Sequence, residues 1–358
     1  MRQYKVGVLG ATGMVGQRFV ALMEHHPWFT LTTLAASPRS AGKSYAEAVE
    51  GRWAMETPIP KSIEGLVVYD AVADMEKIAA AVDFVFSAVD MNKEEIYALE
   101  EAYARLECPV VSNNSAHRWT ADVPMVIPEL NAEHLAVIAS QRARLGTERG
   151  FIAVKSNCSL QSYMPALYPL HKKYGLEHVT VCTYQAISGA GKTLESAPEI
   201  ADNVIPYIGG EEEKSEREPL KILGTVTEQG IENASGLTFT AQCVRVPVSD
   251  GHLAAVFMYF ASGKEAPSME EIKACWAAVP SLDLPSAPKG FIHYFEEENR
   301  PQTRLDRGLE HGMAISVGRL REDVMYHYKF VCLSHNTLRG AAGGAVLMAD
   351  QLCSEGYI

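Results

Sequence analysis

Residues 4–16, YKVGVLGATGMVG, decide the fold: an apolar run, Tyr4–Leu9, feeds Gly10, Gly13 and Gly16, and a helix-prone stretch, Gln17–Glu24, follows. Glycines at this spacing let the backbone turn tightly and approach a pyrophosphate at a helix N-terminus, where unpaired N–H groups and the helix dipole favour anions. Turn glycines are common, so the weight of the motif lies in its position between a strand and a helix. A second apolar strand at Leu31–Ala36 follows at the spacing of a βαβ unit, and further strands are expected at Val67–Val68, Phe84–Ala88 and Val110–Ser112. The N-terminal third is therefore expected to be a doubly wound parallel sheet of the α/β class, a Rossmann-type dinucleotide-binding domain.

From about Ile152 the pattern changes. β-rich stretches at Val179–Ile187, Leu237–Val248, Leu253–Phe260 and Met325–Cys332 follow without regular helices between them, which predicts an α+β domain with a mixed or antiparallel sheet. The Gly/Ala-rich, apolar stretch Thr337–Leu352 has the composition of a helix packed closely on other structure. The division expected is 1–155 for the dinucleotide, completed by a C-terminal helix at 336–358, and 156–335 for catalysis.

A chain of 358 residues and 39.2 kDa is long enough for two cores. The net charge of -12, with no cluster of Lys and Arg, argues against a nucleic-acid or anionic-membrane surface. No apolar leader and no uninterrupted apolar run of membrane-spanning length occurs, so a cytoplasmic location is expected. The seven cysteines, 108, 158, 182, 243, 275, 332 and 353, are scattered and form no CxxC pair, so neither a disulfide framework nor a metal site is expected.

At the end of the second strand an NAD site usually carries Asp or Glu for the ribose hydroxyls, but residues 35–43 read AASPRSAGK. The acid is missing and Arg39 stands among hydroxyls, a set that suits the 2′-phosphate of NADP. Cys158 follows Ser156 and Asn157 and precedes an apolar helical stretch, 159–173, so its thiol is expected at a helix N-terminus, where thiol pKa falls. Pro165 and Pro169 are expected to bend or interrupt that helix. A lone cysteine is more often a small buried hydrophobe; its company raises it. Residues 244–252, VRVPVSDGH, end a β-like run with Arg245 and deliver His252 at a Gly turn, supplying a guanidinium for a carboxylate and an imidazole for proton transfer. The run Glu211–Glu218, by composition alone, is a solvated helix face.

The ordered set GATGMVG, SPRSAGK, SNCSLQ, TYQAISGAGK, EEEK, CVRVPVSDGH and NTLRGAAGG resembles the aspartate-semialdehyde dehydrogenase family, nearest its archaeal and fungal branch, over nearly the whole chain. The resemblance implies reduction of L-aspartyl 4-phosphate by NADPH to L-aspartate 4-semialdehyde, with release of phosphate, on the way to lysine, threonine and methionine. It implies Cys158 as the nucleophile that forms a thioester and His252 as its acid/base partner. Gln185 is implied in positioning, Arg245 on the substrate carboxylate, Glu211 on the ammonium, and Lys214, Asn114 and Arg118 on the phosphate. Implied cofactor contacts are Gly10, Thr12, Gly13, Met14, Val15, Ser37, Arg39, Ser40, Ser87, Ser188 and Gly189, with Asn336 at the nicotinamide amide. A homodimer or homotetramer, its interface on the catalytic domain, is also implied. Leu160 departs from the hydroxyl residue the family commonly carries two positions after the nucleophile.

Two other readings stand beside this one. A reductase of an acyl-coenzyme A or of N-acetyl-glutamyl phosphate shares the Rossmann half and the cysteine, but the acetylated substrate has no ammonium for Glu211. A nucleotide sensor without catalysis needs Cys158, His252 and Arg245 to be dispensable.

Overall fold

In the computed structural model, which describes residues 3–263 and 265–358, the apolar runs of the N-terminal third form one parallel sheet. Its strands are β1 Tyr4–Leu9, β2 Phe29–Ala36, β3 Val68–Asp70, β4 Phe84–Ser87, β5 Val110–Ser112 and β6 Ile152–Val154. They lie in the order β3-β2-β1-β4-β5-β6, the doubly wound arrangement expected from the Gly-rich turn. The Ile152 run, where the sequence pattern changes, is thus the last strand of this sheet.

The register sets the site. Leu9 pairs with Ala35 on one side and Ser87 on the other; Ser87 pairs with Ser112, and Ser112 with Val154. The turns that leave β1, β2, β4, β5 and β6 therefore emerge side by side along one edge of the sheet, the edge where open parallel sheets bind ligands. At Gly10, φ is +81° and a Cβ would stand 2.2 Å from the Ala88 carbonyl oxygen, so only glycine lets β1 turn this close to the loop after β4. The helix Met14–Met23 begins straight after the turn, three residues before the expected start. Its buried face, Phe19 and Val20, shares a core with Ala345, Val346 and Ala349. Those residues belong to the C-terminal helix, which spans Ala342–Ser354 and not 336–358; residues 336–341 are a turn that enters the site.

The second sheet has the order β10-β7-β11-β14-β13-β12. Its strands are β7 Leu176–Gln185, β10 Thr238–Arg245, β11 His252–Phe260, β12 Ile292–Phe295, β13 Ile315–Glu322 and β14 Tyr328–Ser334, with a separate hairpin of β8 Thr225–Thr227 and β9 Gly230–Glu232. The sheet is mixed: β10 with β7 and β12 with β13 are parallel, the other neighbours antiparallel. Helices intervene at Glu211–Ile222, where the charged run is helix-prone, and, contrary to expectation, at Met269–Ala277. The second is only nine residues long, too short for its apolar spacing to stand out from the strands around it.

Helix Leu160–Tyr174 is continuous through Pro165 and Pro169, so of the expected bend or interruption the interruption does not occur. Ten of its first eleven residues are buried, and the Trp276 indole N–H donates to the Ala166 carbonyl within the proline-containing stretch at 2.8 Å. Packing holds the helix where local propensity alone would break it. Leu160 is fully buried in the core that joins this helix to the second sheet, so the residue that departs from the family pattern faces away from solvent.

Candidate active site

β6 and the helix Leu160–Tyr174 are joined by Lys155-Ser156-Asn157-Cys158-Ser159. Asn157 fixes this loop. Its Oδ1 accepts from the Ser159 N–H at 2.9 Å and from the Ser159 hydroxyl at 2.6 Å, and its Nδ2 donates to both carboxylate oxygens of Glu211 at 3.0 Å. Its own N–H donates to Glu218 Oε2 at 2.6 Å. Cys158 is therefore held between two restrained neighbours, one residue before the helix cap. Its thiol opens into a cavity of about 300 Å³.

That cavity gathers residues from both sheets. Val15 comes from the Gly-rich turn's helix, Asn114 and Arg118 from the loop after β5, Ser188 and Gly189 from the loop after β7, Glu211 and Lys214 from the helix Glu211–Ile222, and Asn336 from the turn before the C-terminal helix. Nine of the residues singled out from the sequence thus line one space with Cys158 among them. Three more lie behind its wall. Gln185 donates to Glu211 Oε2 at 3.1 Å, Arg245 donates to the Ala186 carbonyl at 2.6 Å, and the Nδ1 of His252 accepts from the Ala186 N–H at 3.1 Å. A Cβ at Gly189 would stand 2.9 Å from Arg245 Nη1 and 3.0 Å from His252 Nε2, so the missing side chain brings the loop against both.

The remaining cofactor residues stand outside this cavity on the same sheet edge. Gly10, Thr12, Gly13 and Met14 form the turn after β1. Ser37 and Arg39, both exposed, and Ser40, buried, follow β2. Arg39 has no acidic partner among the described residues. Ser87, at the end of β4, is buried and accepts from Asn114 Nδ2 at 3.1 Å. Asn336 spends its amide on the protein: Oδ1 accepts from the Gly251 N–H at 2.8 Å and Nδ2 donates to Ser188 at 2.9 Å, tying the turn before His252 to the loop that carries Gly189.

The electrostatics qualify the expected low thiol pKa. Burial pushes the Cys158 thiol up to about 11 and the Glu211 carboxylate adds to this, while Lys155, Arg118 and Arg245 pull it down. A helix N-terminus does not by itself offset the loss of water. Burial, reinforced by the Arg245 guanidinium, pushes His252 down to about 3. Burial also raises the Glu211 carboxyl, but Lys214 at 2.8 Å and the donors from Gln185 and Asn157 outweigh it, so Glu211 stays below its ordinary value and ionised. The solvated-face reading of 211–218 fails for Glu211 and Glu218, both buried.

Sequence reasoning missed Glu218, Lys155 and Arg339. Glu218 neutralises Arg118 at 2.9 Å while its second oxygen holds the Asn157 N–H. The signal was its position two turns after Glu211 on the same helix face. Arg339 makes a bidentate pair with Glu129 at 2.7 and 2.6 Å and donates to Gln161, which in turn donates to Ser156 Oγ at 2.8 Å.

A Rossmann-type sheet whose ligand edge faces a cysteine, several cations and a buried carboxylate defines a class, the nucleotide-dependent dehydrogenases. Residues 5–138 match the semialdehyde dehydrogenase NAD binding domain and residues 167–339 the semialdehyde dehydrogenase dimerisation domain. The chain is 44% identical to the aspartate-semialdehyde dehydrogenase of Archaeoglobus fulgidus over 99% of this chain and 100% of that one. It is 41% identical to that of Saccharomyces cerevisiae over 98% of each. The crystal structure of the Candida albicans aspartate semialdehyde dehydrogenase with NADP is similar at a TM-score of 0.89 and 38% identity, covering 99% of this chain and 100% of that one. Aspartate semialdehyde dehydrogenase II of Vibrio cholerae, complexed with ASA, matches at 0.72 and 26%, over 99% of each. The chain belongs to the aspartate-semialdehyde dehydrogenase family, and the resemblance to archaeal and fungal members is borne out. Among the described residues no helix is long and apolar enough to cross a membrane.

Proposed function

We propose that the chain reduces L-aspartyl 4-phosphate to L-aspartate 4-semialdehyde, releasing phosphate, with NADPH as the reductant and Cys158 as a covalent nucleophile. The observation that carries this reading is the charge arrangement around Cys158: Arg118 and Lys214 on the cavity wall, Arg245 behind Gly189, and an ionised Glu211. A substrate bearing a phosphate, a carboxylate and an ammonium meets opposite charge at each group. The buried Glu211 favours this reading over an N-acetylated substrate, which lacks the ammonium.

The Cys158 thiolate adds to the acyl carbon, the phosphate departs between Arg118, Asn114 and Lys214, and a thioester remains. NADPH, when bound, supplies the hydride that takes the thioester to the aldehyde level. Its phosphates fit the turn at Gly10, where no Cβ is tolerated, and its 2′-phosphate fits Arg39, which has no acidic partner among the described residues. His252 donates a hydrogen bond from its Nε2–H to the oxygen that gains charge at each addition and keeps its proton. Residues 1–155 with 336–358 would then serve the cofactor, and 156–335 the chemistry. The half-exposed face of β11, Leu253, Ala255, Phe257 and Tyr259, would pack against a second copy in a homodimer.

The test is an assay of purified protein with L-aspartate semialdehyde, phosphate and NADP. NADPH should form only when all three are present; no NADPH at any of several pH values would overturn the activity. For the cofactor, Arg39→Ala is expected to raise the KM for NADP by about 10- to 100-fold, the loss of one charge-assisted contact, and to leave the KM for NAD nearly unchanged. Equal effects on the two cofactors would remove Arg39 from the 2′-phosphate.

A further inference from the structure

Two lysines near the site are buried, and they differ in what their ammonium groups meet. Lys221 is satisfied in full: its three hydrogens go to the carbonyl oxygens of Arg118, Thr120 and Val123 at 2.9, 2.7 and 2.8 Å, which pins the phosphate-side loop. Lys155 is 2% exposed, donates only to the carbonyl of Ser156 at 2.6 Å, and forms no ion pair among the described residues. It lines the same cavity as Cys158, three residues on. Its stem is confined by the C-terminal helix, where a Cβ at Gly344 would lie 3.4 Å from Lys155 Cδ.

A buried ammonium with one neutral partner costs folding free energy unless an anion stands near it. The acids around it are already engaged. Glu218 is bound to Arg118 and the Asn157 N–H, Glu129 to Arg339, and Glu211 to Lys214, Asn157 and Gln185. The remaining group able to become an anion beside it is the Cys158 thiol.

We propose that Lys155 is a positioning residue of the reaction: its buried ammonium, in the wall of the same cavity, favours the thiolate form of Cys158 over the thiol. This rests on the reading of Cys158 as nucleophile. It also supplies what His252 does not, because the Nε2 of His252 is buried without a hydrogen-bond partner among the described residues and so makes no bond to the sulfur. The charges facing Cys158 are Glu211 from the helix Glu211–Ile222, Arg118 from the loop after β5, Arg245 from β10 and Lys155 from its own loop. Those facing Lys155 are Arg118, Cys158, Glu218 and Arg339. Burial and Arg118 bring Lys155 down to about 7, while Cys158 and Glu218 raise it, so a negative charge on Cys158 and a positive one on Lys155 favour each other.

The test is alkylation of the full-length protein by iodoacetamide across a pH series, with the modified residue mapped to Cys158 by mass. In Lys155→Met the midpoint of the rate against pH is expected to move up by about one unit, a roughly tenfold slower reaction at neutral pH. Lys155→Arg, which keeps the charge, should stay near the wild-type midpoint. The melting temperature of Lys155→Met should equal or exceed that of the wild type, which a purely structural lysine would not allow; if that variant does not fold, Lys155→Gln is read in the same way. An unchanged midpoint in the neutral variant overturns the proposal. So does a raised KM for phosphate with the thiol profile unmoved, which would assign the ammonium to the phosphate. Alkylation needs no turnover, so this result is separate from the nucleophile reading, which fails instead if Cys158→Ser retains activity.

Discussion

Cys158→Ser is expected to bind NADP as the wild type does and to turn over on the order of 10⁴-fold more slowly, the scale of losing a covalent nucleophile. The two effects separate because Cys158 stands in the cavity at the junction of the two sheets, whereas Gly10, Ser37 and Arg39 lie on the edge beyond it. The hydroxyl is nearly isosteric, and the restraints on the loop are made by Asn157 and Ser159, so the fold should be kept. A serine hydroxyl loses its proton far less readily than a thiol, and the same cations that favour a thiolate cannot bring it into range. Fluorescence titration with NADPH checks the first half and steady-state turnover the second. Wild-type turnover in this variant would remove the thioester from the mechanism; loss of NADP binding would place Cys158 in the cofactor site instead.

The parts legible in the sequence are those written in local spacing. The Gly10–Gly16 turn and the apolar strands on either side of it specify the parallel sheet, because a fully buried strand must be apolar throughout and a close backbone approach requires glycine. Helix Leu160–Tyr174 was legible at its start and obscure along its length, since Pro165 and Pro169 signal a break that burial overrides. The helix Glu211–Ile222 is the reverse case. Its charge run reads as a solvent face, and the structure turns Glu211 and Glu218 inward against Asn157 and Arg118, partners 54 and 100 residues away. Pairings of that reach leave no mark in a local window. Lys155 did carry a signal, a lysine directly after the apolar run Phe151–Val154, but a charge at a strand end is ordinary until its burial is known.

His252→Ala is expected to lower kcat by about 10²- to 10⁴-fold, and the pH profile should show that the imidazole acts as a neutral donor. The backbone N–H of Ala186 is necessarily a donor, so Nδ1, at 3.1 Å, is an acceptor and the proton of the neutral ring sits on Nε2. Nε2 is buried without a partner among the described residues and lies beside Gly189, where a Cβ would be 3.0 Å away. Burial and Arg245 push the ring down to about 3, so the sign is clear: the neutral form persists at every pH above that value, and a second proton binds only below it. Such a ring cannot accept the thiol proton at Nε2, but it can donate to an oxygen as charge develops there. His252→Gln, whose amide N–H₂ can donate from a similar position, should therefore recover about tenfold in kcat over the alanine variant. In the wild type, kcat should show no ionisation near the ordinary imidazole value of 6.5. An ionisation there that disappears in His252→Gln would mean that the ring works as a base, and that Ala186 releases Nδ1 when substrate binds.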